Sequence, residues 1–192
     1  MRIISGLYKS RKIVAPKNLP VRPTTDMAKE GLFNVLNNLY YFDDISVLDL
    51  FAGTGNISYE FASRGTTNLI CVDQDFGCIK FINQTAETFK MPIQTIKSDV
   101  FKYLEKANIQ TNIIFADPPY GFEDELFFLI PELVFKNNLL LEGGLLIIEH
   151  SKHTILSNQN YFSYSKNYGS NVFWAHRFFQ FFNPNLKTII SS

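Results

Sequence analysis

The feature that most constrains the fold of this chain is a strand, turn and helix pattern that repeats between residues 46 and 149. Apolar runs predict five strands, at 46–51, 68–72, 93–96, 112–116 and 145–149. Segments with apolar residues at helical spacing lie between these runs, at 56–64, 76–89, 100–107 and 123–136. Strands that alternate with helices form a parallel sheet covered by helices on both faces. We therefore predict an α/β fold.

Two further segments flank this repeat. Residues 161–166 and 171–182 predict two strands that form an antiparallel hairpin at the edge of the sheet, so the sheet should have seven strands. Residues 2–16 predict a hairpin or extended arm, and 26–39 a helix with Thr25 as its N-cap. We therefore divide the chain into an arm, residues 1–25, and a main domain, residues 26–192.

The composition excludes several classes of protein. A chain of 192 residues that is 46% hydrophobic is long enough for one domain with a substantial core. Two cysteines are too few for a disulfide framework, and Cys71 lies in an apolar run that predicts a buried thiol. The first residues are too polar for a signal peptide, and no apolar stretch is long enough for a membrane span. We expect a soluble, cytoplasmic monomer.

Charge is distributed unevenly, although the net charge of the chain is zero. Residues 1–25 contain no acidic residue, and their basic residues are Arg2, Lys9, Arg11, Lys12, Lys17 and Arg22. A basic arm can contact the phosphates of a nucleic acid, or it can simply be solvated, and the charges alone do not decide between these readings.

The tetrapeptide Asp117-Pro118-Pro119-Tyr120 follows the fourth predicted strand. Two successive prolines restrict the backbone, so the carboxylate, the carbonyl groups and the aromatic ring are held in a stiff turn. A carboxylate and a carbonyl can both accept hydrogen bonds from one exocyclic amino group, and a Tyr ring can stack on the attached base. This combination favours methylation of a nucleobase amine, although a turn of this kind can also be purely structural.

A glycine-containing loop closes the first strand and opens a helix at Asp49-Leu50-Phe51-Ala52-Gly53-Thr54-Gly55. The second strand ends in Asp73, and Asp99 and Asp117 follow the third and fourth strands. One aspartate at such a position is usually a helix cap. Four of them at the same edge of a sheet, beside a glycine loop, favour a cofactor cleft, with Asp73 accepting ribose hydroxyls and Asp99 accepting from an adenine amine.

The charge of this cleft indicates which cofactor it binds. A dinucleotide fingerprint would place glycine at position 58, where this chain has Ser58. An acidic lining disfavours pyrophosphate and suits a cofactor with a ribose, an adenine amine and a cationic centre. S-adenosylmethionine has these features, so we predict it as the cofactor.

The motifs resemble those of the RsmD-like family of 16S ribosomal RNA methyltransferases, which methylate N2 of a guanine. The resemblance runs nearly end to end, and its most specific marker is Arg22-Pro23-Thr24-Thr25-Asp26. It also covers Arg2-Ile3-Ile4-Ser5-Gly6, Leu32-Phe33-Asn34, the glycine loop and Asp117-Pro118-Pro119-Tyr120. It implies a Rossmann-like class I S-adenosylmethionine-dependent methyltransferase fold that acts on 16S rRNA in the small ribosomal subunit or its assembly intermediate.

The resemblance also implies roles for individual residues. The catalytic residues are Asp117, Pro118 and Tyr120. The cofactor-binding residues are Asp49, Phe51, Ala52, Gly53, Gly55, Asp73, Asp99 and Val100. The residues that contact RNA are Arg2, Lys9, Arg11, Lys12, Arg22, Thr24, Thr25, Asp26 and Tyr120. No metal is implied, and His150 with His153 does not suggest one because no cysteine or acidic run joins them. Glu149 lies at the end of the fifth strand, where it could approach the target, but we interpret it as a cap or a solvated residue.

Two other functions compete with this one. A DNA adenine-N6 methyltransferase uses the same tetrapeptide, but such enzymes usually carry an additional target-recognition region for which 192 residues leave no room. A non-catalytic RNA-binding assembly factor could keep the fold without the activity. The intact acidic residues at 49, 73, 99 and 117 argue against that loss of activity.

Overall fold

The computed structural model describes residues 1–16, 19, 24–119, 124–151, 164–168 and 171–177. Two residues with predicted functional roles, Arg22 and Tyr120, lie outside the described residues, as do Lys17 and His153. The predicted strand segments 161–163 and 178–182 also lie outside them. No helix in the described part of the chain is long and apolar enough to cross a membrane.

Helices and strands alternate along the chain as the sequence predicted. The helices are α1 (Asp26–Asn37), α2 (Asn56–Ser63), α3 (Phe76–Phe89), α4 (Val100–Lys106) and α5 (Asp124–Lys136), with a 3-10 helix at Phe42–Asp44. The strands are β1 (Ser46–Leu50), β2 (Asn68–Asp73), β3 (Ile93–Lys97), β4 (Thr111–Ala116), β5 (Leu140–Ser151), β6 (Tyr164–Tyr168) and β7 (Asn171–Arg177).

The strands form one seven-stranded sheet in the order β3-β2-β1-β4-β5-β7-β6. The first five strands in this order pair in parallel. β7 pairs antiparallel with both β5 and β6. The predicted fold class, with its C-terminal antiparallel hairpin, is therefore confirmed. All carboxyl ends of the parallel strands open at one edge of the sheet, which is where ligands bind in such folds.

Some predicted boundaries were wrong. The last helical residue of α1 is Asn37 rather than residue 39. β1 ends at Leu50 because Phe51 adopts φ 57°, a left-handed conformation that no strand accommodates. β5 begins at Leu140, five residues earlier than the fifth strand that we predicted, and its register with β4 shifts between Thr111 and Ile113.

The two faces of the sheet pack against different helices, and side chains alternate between them along each strand. Val47, Phe115 and Ile147 belong to a cluster that includes Phe33 of α1 and Phe61 of α2. Their chain neighbours Leu48, Ile114 and Ile148 belong to a cluster with α5. Residues of odd number in β1, β4 and the end of β5 therefore face α1 and α2. Cys71 is also buried in the first cluster, as predicted.

The N-terminal arm contains one antiparallel bridge, between Arg2 and Lys12. The predicted hairpin is therefore paired as a β-bridge only at these two residues among those that the structure describes. The arm packs on α2. The backbone N–H groups of Ile4 and Ser5 donate to the Glu60 carboxylate at 2.8 and 3.0 Å, and that of Leu7 donates to the Ser63 carbonyl at 2.7 Å. Each of these bonds fixes the arm to one face of the main domain.

A buried ion pair lies under the arm. Lys29 is 1% exposed and Glu60 is fully buried, with 3.6 Å between Lys29 Nζ and the Glu60 carboxylate. Lys29 Nζ also donates to the Arg2 carbonyl at 2.6 Å and to Asn56 Oδ1 at 2.9 Å. Burial lowers the pKa of Lys29, and the Glu60 charge opposes that effect. Such groups stabilise a fold only when every partner is present.

The substitution Glu60→Gln tests this arrangement. It leaves the Lys29 charge buried without its anionic partner, so we expect the free energy of unfolding to fall by about 3 kcal/mol. Urea denaturation measures this change. Glu87→Gln is the matched control because Glu87 is an exposed residue of α3. A Glu60→Gln protein as stable as the control would show that the buried pair contributes nothing.

Candidate active site

A cavity of about 350 Å³ opens at the carboxyl edge of the parallel strands. Nine of the ten predicted cofactor and catalytic residues that the structure describes line it: Asp49, Phe51, Ala52, Gly53, Asp73, Asp99, Val100, Asp117 and Pro118. The tenth, Gly55, does not. The lining also contains residues that sequence reasoning did not identify as cofactor or catalytic residues: Thr24, Thr54, Asn56, Ile57, Gln74, Asp75, Cys78, Phe101, Phe115 and Pro119.

The loop between β1 and α2 forms one wall. Phe51, Gly53 and Gly55 have φ values of 57°, 54° and 77°, so three of five successive residues are left-handed. Such a conformation strains a large side chain such as Phe51 and is typical of functional loops. A Cβ at Gly55 would lie 2.9 Å from the Tyr59 ring, so this glycine makes room for the core and begins α2 rather than lining the cavity.

Asp73 holds this loop in place. One of its carboxylate oxygens accepts from the Gly53 N–H at 2.7 Å, and the other accepts from the Asp75 N–H at 2.8 Å. Two ordered N–H donors fix the orientation of the carboxylate, and each oxygen keeps a further lone pair for a ligand hydroxyl. Asp73 is the last residue of β2, as predicted, and it is partly exposed to the cavity.

Asp99 is both a helix cap and part of the cavity lining. Its carboxylate accepts from the Lys102 N–H at 3.0 Å and caps α4, and the residue also lines the cavity. Asp75 caps α3 in the same way through the Cys78 N–H at 2.8 Å. Capping leaves acceptor positions on each carboxylate, so the negative charge stays at the cavity.

Asp49 lies within β1, one residue before its end, and is only 2% exposed. Its carboxylate accepts from the Ser58 hydroxyl, which also lies 2.9 Å from Cys71 Sγ. Burial raises the pKa of Asp49 to about 7, and the charge of Asp73 adds to this effect. The serine at position 58 therefore supports a buried carboxyl group instead of approaching a pyrophosphate.

Asp117 follows β4, and its N–H donates to the Leu50 carbonyl at 3.4 Å, which holds the turn beside β1. Desolvation raises the pKa of Asp117 well above its usual value, and the charges of Glu149 and Asp49 raise it further. The interpretation of Glu149 as a cap or solvated residue was wrong. It is 5% exposed within β5, because that strand continues to Ser151 with a neighbour on each side.

The residues predicted to contact RNA differ in their exposure and in their contacts. Arg2, Lys9, Arg11 and Lys12 are exposed on the arm. Arg2 Nε lies 3.3 Å from the Asp26 carboxylate, so these two residues pair with each other. Thr25 is the N-cap of α1, as predicted, and accepts from the Ala28 N–H at 3.2 Å. Thr24 is buried and lines the cavity.

No cluster of three or more His, Cys, Asp or Glu side chains suited to a metal ion occurs among the residues that the structure describes. Lys and Arg are also missing from the described lining of the cavity, where five carboxyl groups lie at Asp49, Asp73, Asp75, Asp99 and Asp117. This donor set suits a ligand with hydroxyl groups, an amine and a positive charge, and it disfavours a phosphate.

Several known proteins are similar to this chain. The Bacillus subtilis protein YlbH, named as a candidate rRNA methyltransferase, is 37% identical over 161 residues, which are 81% of this chain and 85% of that protein. Ribosomal RNA small subunit methyltransferase D of Escherichia coli is 30% identical over 152 residues, 78% of this chain and 74% of that protein. The solved structure of the candidate methyltransferase yhhF from Escherichia coli is 25% identical, with a TM-score of 0.80 over 92% of this chain and 97% of that one.

The sheet order and the position of the cavity define the class of protein: this is the Rossmann-like fold of S-adenosylmethionine-dependent methyltransferases. A family model described as "Conserved hypothetical protein 95" matches residues 1–177. The chain belongs to this family, the RsmD-like family, which confirms the resemblance of its motifs.

Asp49 should make stability depend on pH. Its pKa is about 7 in the folded protein and near 3.9 in an unfolded chain, so folding takes up a proton between these values. The stabilising effect of the protonated group is complete below about pH 4 and is lost as the pH rises through about 7. In this interval its contribution falls by roughly 1.4 kcal/mol per pH unit.

Asp49→Asn cannot ionise, so its free energy of unfolding should change less between pH 5 and pH 7 than that of the wild-type protein. Urea denaturation at several pH values measures the two slopes. Asp44→Asn, at an exposed position, should keep the wild-type slope. An Asp49→Asn protein with the full wild-type slope would show that the raised pKa of Asp49 does not cause the pH dependence.

Proposed function

We propose that this protein transfers the methyl group of S-adenosylmethionine to the exocyclic N2 amine of a guanine in 16S ribosomal RNA. The observation that carries the proposal is that Asp117 and Pro118 share one cavity with the Gly53 loop and Asp73. A cofactor held by the loop and a base held at the Asp-Pro-Pro turn would therefore meet in a single space.

The lining residues have the chemistry that this cofactor needs. Asp73, fixed by two backbone N–H groups, would accept from the ribose hydroxyls. Asp99 and the Val100 amide would bind the adenine, and Phe51, Ala52 and Gly53 the methionine part. When bound, the cofactor supplies a methyl group on a cationic sulfur, which the surrounding carboxylates favour.

Asp117 and Pro118 would prepare the acceptor nitrogen. The lone pair of the guanine N2 amine is delocalised into the ring, so the amine is a weak nucleophile. Hydrogen bonds from N2 to the Asp117 carboxylate and to the Pro118 carbonyl would favour a more tetrahedral nitrogen. As N2 forms its new bond to the methyl carbon, the bond from that carbon to the cofactor sulfur would break and leave a neutral thioether. N2 gains positive charge in this step, which Asp117 would stabilise before it takes the proton.

The raised pKa of Asp117 suits this last step, since a carboxylate with a raised pKa is a stronger proton acceptor. The target guanine must leave its stack to enter the cavity, which costs a few kcal/mol. Tyr120 would offset that cost by stacking, which contributes about 1–3 kcal/mol.

The RNA substrate is supported by the names of the relatives and by the charge of the arm. The relatives at 37% and 30% identity are named as enzymes of ribosomal RNA. Lys9, Arg11 and Lys12 are exposed on an arm that Glu60 fixes to the main domain, so they would meet phosphates at a defined distance from the cavity. The small subunit or its assembly intermediate would present the target.

Asp117→Ala tests the mechanism on small ribosomal subunits that lack the modification. Without the carboxylate that stabilises the developing charge, we expect the methyl transfer rate to fall by about 10²- to 10³-fold. Calorimetry should show that cofactor binding is retained. In the wild type, the rate should rise with pH as Asp117 ionises, over a range above that of an ordinary carboxyl group.

The product identifies the reaction. After digestion to nucleosides, wild-type label in N2-methylguanosine supports the proposal, and Asp44→Ala should behave as wild type because Asp44 is exposed away from the cavity. Label in N6-methyladenosine would show that the enzyme methylates adenine rather than guanine. If the wild-type protein does not bind S-adenosylmethionine, the result would favour the function of a non-catalytic assembly factor.

A further inference from the structure

Glu149 is a buried acidic residue beside the catalytic turn that the mechanism above does not use. In the parallel register of β4 and β5, Phe115 pairs with Ile147 and Ala116 with Ile148. The next step of that register places Glu149 beside Asp117. Both follow the alternation that directs Phe115 and Ile147 toward α1 and α2, so both carboxyl groups face the same side of the sheet.

Thr24 connects this pair to the cavity. Its hydroxyl donates to Glu149 Oε2 at 3.4 Å, and the residue lines the same cavity as Asp117 and Pro118. Its carbonyl accepts from Asn56 Nδ2 at 3.0 Å, and Asn56 in turn accepts from the buried Lys29 at 2.9 Å. α2 therefore holds the Thr24 backbone, and β5 orients its hydroxyl.

The hydrogen bond to Glu149 decides what Thr24 can offer a ligand. The Thr24 hydroxyl donates to Glu149, so its single proton is directed at that side chain. The remaining lone pair of the Thr24 oxygen is then an acceptor. Glu149 also lies close enough to Asp117 for its charge to raise the pKa of that residue.

Two neighbouring acceptors distinguish guanine from other purines. The edge of guanine that carries the N2 amine also carries the N1–H, so it presents two adjacent donors. Adenine has a lone pair at N1 beside its amine, and 2-aminopurine keeps the C2 amine but also has a lone pair at N1. An acceptor opposite N1 therefore attracts guanine and repels both alternatives.

We propose that Thr24, oriented by Glu149, accepts from the N1–H of the target guanine beside Asp117, and that these two residues determine specificity for guanine. This inference rests on the proposed function and extends it by naming how the base is selected. Thr24 touches the base, and Glu149 is a positioning residue that acts through it.

The test compares two substrates, small ribosomal subunits reconstituted with 16S rRNA that carries either guanine or 2-aminopurine at the target position. The wild type should favour guanine in kcat/KM by about 10- to 100-fold, the range expected for one specific base contact. Glu149→Gln replaces the carboxylate with an amide, whose N–H group can donate to the Thr24 oxygen and compete there with the guanine N1–H. Thr24→Val keeps the shape and removes the hydroxyl.

Both variants should lower the guanine rate relative to the 2-aminopurine rate, so the ratio should shrink by about 10-fold. Thr24→Ser should keep the wild-type ratio. Glu142→Gln is the matched control because Glu142 is an exposed residue of the same strand. Calorimetric titration with S-adenosylmethionine checks that each variant keeps a folded cavity.

The outcomes separate this inference from the proposed function. If the wild type forms N2-methylguanosine but Glu149→Gln and Thr24→Val keep the wild-type ratio, the inference is overturned and the function stands. A Thr24→Val protein that binds the cofactor but methylates neither base would also overturn it, since a contact to N1 should not affect the analogue. A wild type that forms no N2-methylguanosine would overturn both.

Discussion

The parallel pairing of β1 to β5 is the constraint on which the rest of this structure depends. It brings the carboxyl ends of strands distant in sequence to one edge, where Asp49, Asp73, Asp99 and Asp117 line one cavity. Asp73 then joins two of these ends, because its carboxylate holds the Gly53 N–H of the neighbouring loop. This arrangement of strands gives the cavity its acidic lining. The described part of the lining contains no Lys or Arg.

A second constraint ties the arm to that edge. Glu60 is fully buried in α2, and it receives two backbone N–H groups of the arm together with the side chains of Lys29 and Arg64. Lys29 then contacts Asn56, which holds the Thr24 backbone at the cavity. One chain of polar contacts therefore runs from the arm to the cavity.

Much of the fold and of the candidate site could be predicted from the sequence because its signals are local. Apolar runs predicted the five parallel strands, and Thr25 was correctly identified as the N-cap of α1. The side-chain roles assigned to Asp73, Asp99 and Asp117 remain predictions, and the structure adds that all three line one cavity.

The parts that could not be predicted depend on contacts between distant residues. Glu149 was interpreted as a cap or solvated because a strand was expected to end there, whereas pairing with β7 extends β5 to Ser151 and Glu149 is buried within it. Its bond to Thr24 spans 125 residues of sequence. Gly55 resembled a ligand contact, but its place is set by the Tyr59 ring that packs against it.

The measurement that tests this account most directly is a crystal structure with S-adenosylhomocysteine, the product form of the cofactor. The account predicts ribose hydroxyls within about 3 Å of the Asp73 carboxylate and the sulfur atom facing Asp117 and Pro118. A ribose bound away from Asp73, or a sulfur atom facing away from Asp117, would contradict the claim that one cavity joins the cofactor to the base.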